Sequence, residues 1–132
     1  MKEIIDSFSI QKQVKLKIKI MLTNQEMLKI AEQFTRKIVD KNFAPNIVLE
    51  EAIEKPYGNI YRYQSKEFLL TKDIYKAVTP ATPFLVEKKT GRVVNFASAM
   101  SLENNIKAYE NGTMSRASDT YWYPDEDRFS SK

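Results

Sequence analysis

Phe84-Leu85-Val86-Glu87-Lys88-Lys89-Thr90-Gly91-Arg92-Val93-Val94-Asn95-Phe96 is the stretch that decides the fold. Two short runs of β-branched and aromatic residues flank a polar turn, and Gly91 suits the left-handed position such a turn demands. That pattern predicts antiparallel strands joined tightly, because a parallel pair needs a long crossover. Just upstream, Asn59 to Gln64 reads as another strand through Ile60, Tyr61 and Tyr63. Pro56-Tyr57-Gly58 turns the chain into it from a strand carrying Ile47, Leu49 and Ile53 and ending near Lys55. Tyr61 and Tyr63 share a face, opposite Ile60, and are expected to be buried against a helix.

That helix is announced further back. Thr23-Asn24-Gln25-Glu26 has capping-box spacing, and Met27, Ile30, Ala31, Phe34 and Ile38 recur at intervals of three and four. The spacing predicts a helix from Asn24 to about Lys41, with Pro45 as its outer limit. Val14-Lys15-Leu16-Lys17-Ile18-Lys19-Ile20 alternates strictly and predicts a strand with lysines toward water. Ser65 can cap a short helical stretch holding Phe68 and Leu69, followed by a less regular segment through Ile74, Tyr75 and Val78. Forward of the hairpin, Ser101 can cap a last helix with Leu102, Ile106 and Tyr109, and Asn111-Gly112 should end it.

Thr113 to Lys132 shows no clear periodicity and reads as a C-terminal tail beyond a single domain at 1–112. The expected architecture is α+β. An antiparallel sheet of about four to five strands carries one long helix on a face and a shorter helix near the C-terminus.

The chemistry open to the chain is narrow. It contains no histidine and no cysteine. Ser-His-Asp triads, Cys-His pairs, disulfides and imidazole or thiolate metal sites are therefore excluded, and the usual general base near neutral pH is missing. Glu50 and Glu51 would point to opposite faces of a strand, which argues against a paired acid–base site with Glu54. Asp125-Glu126-Asp127 lacks the alternate spacing and glycine of a calcium loop. Three glycines in all, with no GxGxxG and no GxxxxGK[ST], leave little for a phosphate cradle. The expectation is a non-enzyme without catalytic residues, cofactor or metal.

Charge bears on partners. The net charge is +4, with nine basic and five acidic side chains in residues 1–45 but four basic and six acidic in 101–132. A basic chain with a lysine-faced strand has the electrostatic footprint of a nucleic-acid binder, and Tyr61 and Tyr63 could stack on bases. The aromatic motif of sheet-based RNA binders is absent, however, and arginine is scarce, so nucleic acid ranks below a protein partner. No apolar run approaches the ~18 residues of a membrane span. The start Met-Lys-Glu-Ile-Ile-Asp does not read as a secretory signal. A cytoplasmic protein is expected; a homo-oligomer stays open.

Three motifs in register carry a family resemblance. Glu54-Lys55-Pro56-Tyr57-Gly58, with Tyr61 and Tyr63-Gln64-Ser65-Lys66-Glu67-Phe68-Leu69, is the first. Pro83-Phe84-Leu85-Val86-Glu87 with Thr90-Gly91-Arg92-Val93 is the second. The third is Ala99-Met100-Ser101-Leu102-Glu103 with Ile106 and Tyr109-Glu110. In order and spacing, roughly over 27–110, the chain resembles the immunity protein 35 (YrhB-like) family of small α+β proteins found beside secreted polymorphic toxins of bacteria. The resemblance implies binding and neutralisation of a cognate toxin, with no catalytic residues. Asn59 stands where the family usually has tryptophan, Ser101 replaces a proline, and Thr79-Pro80-Ala81-Thr82 replaces a glycine-rich loop. A general protein-binding or chaperone-like module is the alternative.

The residues expected to meet a partner are Tyr121, Trp122 and Tyr123 as apolar anchors, rimmed by Asp125, Glu126 and Asp127. Trp and Tyr anchors ringed by polar groups are the usual composition of interface hot spots, and an acidic rim would speed encounter with a basic surface. The competing reading has Trp122 docking the tail onto the chain's own core.

Overall fold

The computed structural model describes residues 21–132; the strand expected at 14–20 lies outside the described residues. Helix α1, Asn24–Ile38, starts where its capping box predicts. The Thr23 hydroxyl accepts from the Glu26 amide, and the Glu26 carboxylate accepts from the Thr23 amide, each at 3.1 Å. It ends about three residues short of the expected limit. Val39 takes an extended conformation there, which places its branched side chain in the core.

The strand expected over 47–55 is two strands, β1 (Ile47–Leu49) and β2 (Ile53–Lys55), and its partner is likewise split into β3 (Gly58–Tyr61) and β4 (Tyr63–Ser65). Leu49 faces Tyr63 and Ile53 faces Ile60, so three residues on one arm oppose two on the other. That extra residue is a β-bulge, which bends the hairpin. Its outer half, β1–β4, becomes a separate two-stranded sheet, and its inner half joins the main sheet. The extra residue also switches faces: Ile47 and Leu49 pack with the cluster under α1 and Ile53 with the cluster on the opposite side, although one strand with all three on a single face is what the apolar spacing predicts.

The decisive hairpin forms as β5 (Phe84–Glu87) and β6 (Val93–Asn95), with Gly91 at φ +75°. A Cβ on Gly58 would lie 2.1 Å from the Val86 carbonyl oxygen, so only glycine lets β3 and β5 approach this closely. Residues 113–132, set apart above as a tail, contribute β7 (Tyr121–Tyr123) and β8 (Arg128–Ser130). The main sheet therefore has six strands, ordered β2-β3-β5-β6-β7-β8 and antiparallel throughout, instead of four or five. The fold is α+β, with three α-helices among the described residues.

Both sheet faces are covered. Phe84, Val86, Val93 and Trp122 share one cluster with Met27, Ala31 and Phe34 of α1. Their strand neighbours Leu85, Val94 and Tyr121 share the other with Leu102, Ile106 and Tyr109 of α2, Leu102–Asn111. The hydroxyl of Ser101 caps α2, Gly112 closes it at φ +69°, and buried Asn105 ties its side chain to the backbone of Ala97, Met100 and Ser101. The third helix, α3 (Lys66–Thr71), lies between β4 and β5 in the chain and buries no residue fully.

Candidate protein-docking surface

Of the aromatic residues expected at a partner interface, Tyr121 and Trp122 are buried, and Trp122 docks on the chain's own core as the competing reading has it. Trp122 is 5% exposed and sits opposite Val93 and Phe129, with its ring 5.6 Å from that of Phe34. Its indole N–H donates to Asp127 Oδ1 at 3.0 Å. Tyr121, equally buried, lies on the other face beneath the Arg92 guanidinium, 3.9 Å from the ring centre. Tyr123 is half-buried and its hydroxyl donates to the Lys132 carbonyl.

Asp125, Glu126 and Asp127 do reach the surface, in the turn between β7 and β8. Glu126 pairs with Arg128 and Asp127 with Lys37, both at 2.8 Å. The Lys37 ammonium, then the Trp122 indole, holds the Asp127 carboxyl below the usual carboxylate range. The six expected docking residues are thus β7 and the turn that leads into β8, with Tyr121 and Trp122 turned into the protein. A strand covered on both faces shows no alternation, which is why its sequence resembles a loose aromatic cluster.

Tyr61 and Tyr63 are buried with Phe34 and Phe84, the Tyr61 ring stacked on Phe84 at 5.7 Å. That removes them from nucleic-acid stacking. Asn59 is buried; its amide donates to Asn24 Oδ1 at 3.1 Å and so ties β3 to the first turn of α1.

A second cluster joins α2 to the sheet. Glu87 accepts from Arg92 at 2.6 and 2.9 Å and from the Tyr109 hydroxyl at 2.6 Å. Tyr57 donates to Glu110 at 2.7 Å, and the Tyr57 and Tyr109 rings lie 4.9 Å apart. Burial, reinforced by Glu110 and Glu87, pushes both phenols up, so neither is a source of phenolate near neutral pH. A cleft of about 630 Å³ opens beside them, lined also by Pro56, Lys88 and Lys89. Each polar group of this cluster satisfies another, which makes it joinery. Among the described residues no group of three or more Asp and Glu could hold a metal ion, and no helix is long and apolar enough to cross a membrane.

The exception to this economy is the segment 66–76. Leu70, Ile74 and Tyr75 are 74%, 72% and 88% exposed, the three most exposed large apolar side chains among the described residues. Their segment is nonetheless tightly built. Gln64 accepts from the Val78 amide at 2.6 Å and donates to the Val78 carbonyl at 3.2 Å, closing the base. Ser65 accepts from the Phe68 amide at 3.0 Å as the cap of α3 and donates to the Lys76 carbonyl at 2.6 Å. Inside the clasp, the Thr71 hydroxyl receives the Asp73 amide and Asp73 Oδ1 receives that of Tyr75, capping a 3₁₀ turn at Ile74–Lys76.

Lys72 ends α3 in the left-handed region, φ 62°, which disfavours a side chain, yet 66–76 contains no glycine. Here hydrogen bonds hold apolar side chains out in water. Three such side chains within six residues, on a protein whose other large apolar groups are better covered, make this segment the candidate interaction site. Sequence reading passed over these residues because Leu69-Leu70 and Ile74-Tyr75 follow neither helix nor strand period. The usable signal was Gln64-Ser65, a cap that also has to serve as a latch.

No protein-family model, curated protein or solved structure matches the chain.

Proposed function

We propose that this chain is a bacterial immunity protein that binds a cognate protein toxin and neutralises it in the cytoplasm by direct contact, without catalysis. The observation that carries the binding part is the clasped knuckle at 66–76, where Leu70, Ile74 and Tyr75 stand in solvent. Burying such side chains against a partner contributes roughly 1.5–3 kcal/mol each. A preordered segment loses little conformational freedom on docking, so more of that gain reaches affinity. The toxin partner rests on the resemblance over 27–110, and the missing histidine and cysteine agree with a non-catalytic role.

Co-expression with the product of an adjacent secreted-toxin gene should restore growth, and the two products should copurify. Leu70→Asp should abolish both while the chain still folds. Failure of the unaltered chain to bind or protect removes the immunity role. The chaperone-like alternative draws on the same exposed apolar residues; weak binding to many unfolded clients, in place of one tight partner, would favour it.

A further inference from the structure

We infer that the partner surface received by the knuckle is acidic: an apolar pocket for Leu70, Ile74 and Tyr75, ringed by Asp and Glu. This rests on reading the knuckle as a protein-docking surface and specifies the chemistry of what docks. The segment from Arg62 to Lys76 carries four exposed basic side chains, Arg62, Lys66, Lys72 and Lys76. The ion pairs among the described residues engage Lys37, Lys55, Arg92, Lys107 and Arg128 but none of these four. The same segment holds two acids, Glu67 and Asp73, the latter with a carboxylate oxygen turned to the Tyr75 amide. Around the exposed apolar residues the protein thus presents a local excess of positive charge, four basic side chains against two acidic ones. Carboxylates on the partner would offset that excess, steer the encounter and reject basic competitors.

An anionic membrane surface offers the same attraction, but shape favours a protein. Directly behind the knuckle the chain runs along a cleft of about 620 Å³ lined by Phe43, Tyr63, Val78, Pro80 and Phe129. A shaped protein surface can engage a protruding knuckle and the adjoining concavity together, whereas a bilayer meets the knuckle alone. Three exposed side chains give only marginal membrane attachment. Asp40 and Asp119 also line that cleft, so the acidity required of the partner is confined to the part that faces the knuckle.

The experiment needs no toxin. The full chain is immobilised and screened with a displayed library of random 16-residue peptides, and in parallel it is mixed with phosphatidylserine–phosphatidylcholine vesicles. Enriched peptides should hold Leu, Phe or Trp flanked by an excess of Asp and Glu. Their affinity should fall at least about tenfold in a Lys66→Glu/Lys72→Glu/Lys76→Glu variant, and it should fall with rising salt because such charges are screened beyond ~10 Å at 0.1 M. Circular dichroism confirms that the variant is folded. Enrichment of neutral or basic peptides, indifference to the triple substitution, or no enrichment overturns the inference. So does vesicle binding that exceeds peptide binding and is lost in Leu70→Asp. Failure here with successful toxin rescue refutes the acidic partner surface alone; success here with failed rescue refutes the immunity role alone.

Discussion

Residues 121–127 and 66–76 look alike as sequence and behave oppositely as structure. Each mixes large apolar side chains with charges and lacks a period. The first pairs its backbone with β6, and that pairing carries Trp122 under α1 and Tyr121 toward α2. The second satisfies its backbone within itself through caps and the Gln64–Ser65 clasp, so no neighbouring strand draws its side chains inward. Whether an aromatic residue is core or contact is decided by where its backbone finds hydrogen-bond partners. Composition alone does not decide it.

Trp122→Ala is the most severe way to break this contrast. It empties the space between Phe34, Val93 and Phe129 and removes the indole bond to Asp127. A loss of about 3–5 kcal/mol is expected for a buried Trp, read as a shift in urea midpoint. A loss below about 1 kcal/mol would be typical of a surface site. That result would put Trp122 back among the docking candidates.

Legibility in the sequence followed the range of the physics involved. Local devices were readable: Thr23 with Glu26, Ser65 and Ser101 as caps, and Gly91 and Gly112 at positive φ all sit where their chemistry demands. The β5–β6 hairpin is of the same kind, since its register is set by its own turn. Strands β7 and β8 were not readable, because β7 is three residues long and its burial on both faces comes from helices distant in sequence. The division of one hairpin between two sheets hangs on a single extra residue near 50–52. Of the candidate site, Tyr121 and Trp122 went to the core, and the exposure of Leu70, Ile74 and Tyr75 left no periodic signal beyond the cap at Gln64-Ser65.

An intermediate effect is expected at the clasp. Gln64→Ala deprives the Val78 amide and carbonyl of their side-chain partner in a half-buried position. Groups left unsatisfied in this way cost about 1–3 kcal/mol. Amide hydrogen exchange in 66–76 should quicken more than in β5 or β6, because the knuckle would open without the sheet. Uniform quickening across both would mean that the knuckle is an integral part of the core fold, and its contrast with 121–127 would shrink.

The smallest effect on stability is expected where the largest effect on binding is proposed. Leu70→Ser and Tyr75→Ser remove side chains that are 74% and 88% exposed, so little packing is lost and no buried polar group is stranded. Each should shift unfolding free energy by no more than the ~0.5 kcal/mol typical of surface substitutions. Neither residue takes part in the clasp through its side chain, which uses Gln64, Ser65, Thr71 and Asp73. The same truncations should weaken partner binding by ~2 kcal/mol or more, the scale of an interface hot spot. Calorimetric unfolding beside titration with the bound partner measures both quantities on one preparation. If Leu70→Ser lowers stability as Trp122→Ala does, the knuckle packs as core and the two regions no longer differ. If it changes neither stability nor affinity, the exposed apolar residues contribute nothing to recognition. Only unchanged stability with lost affinity fits side chains held in water to meet a partner.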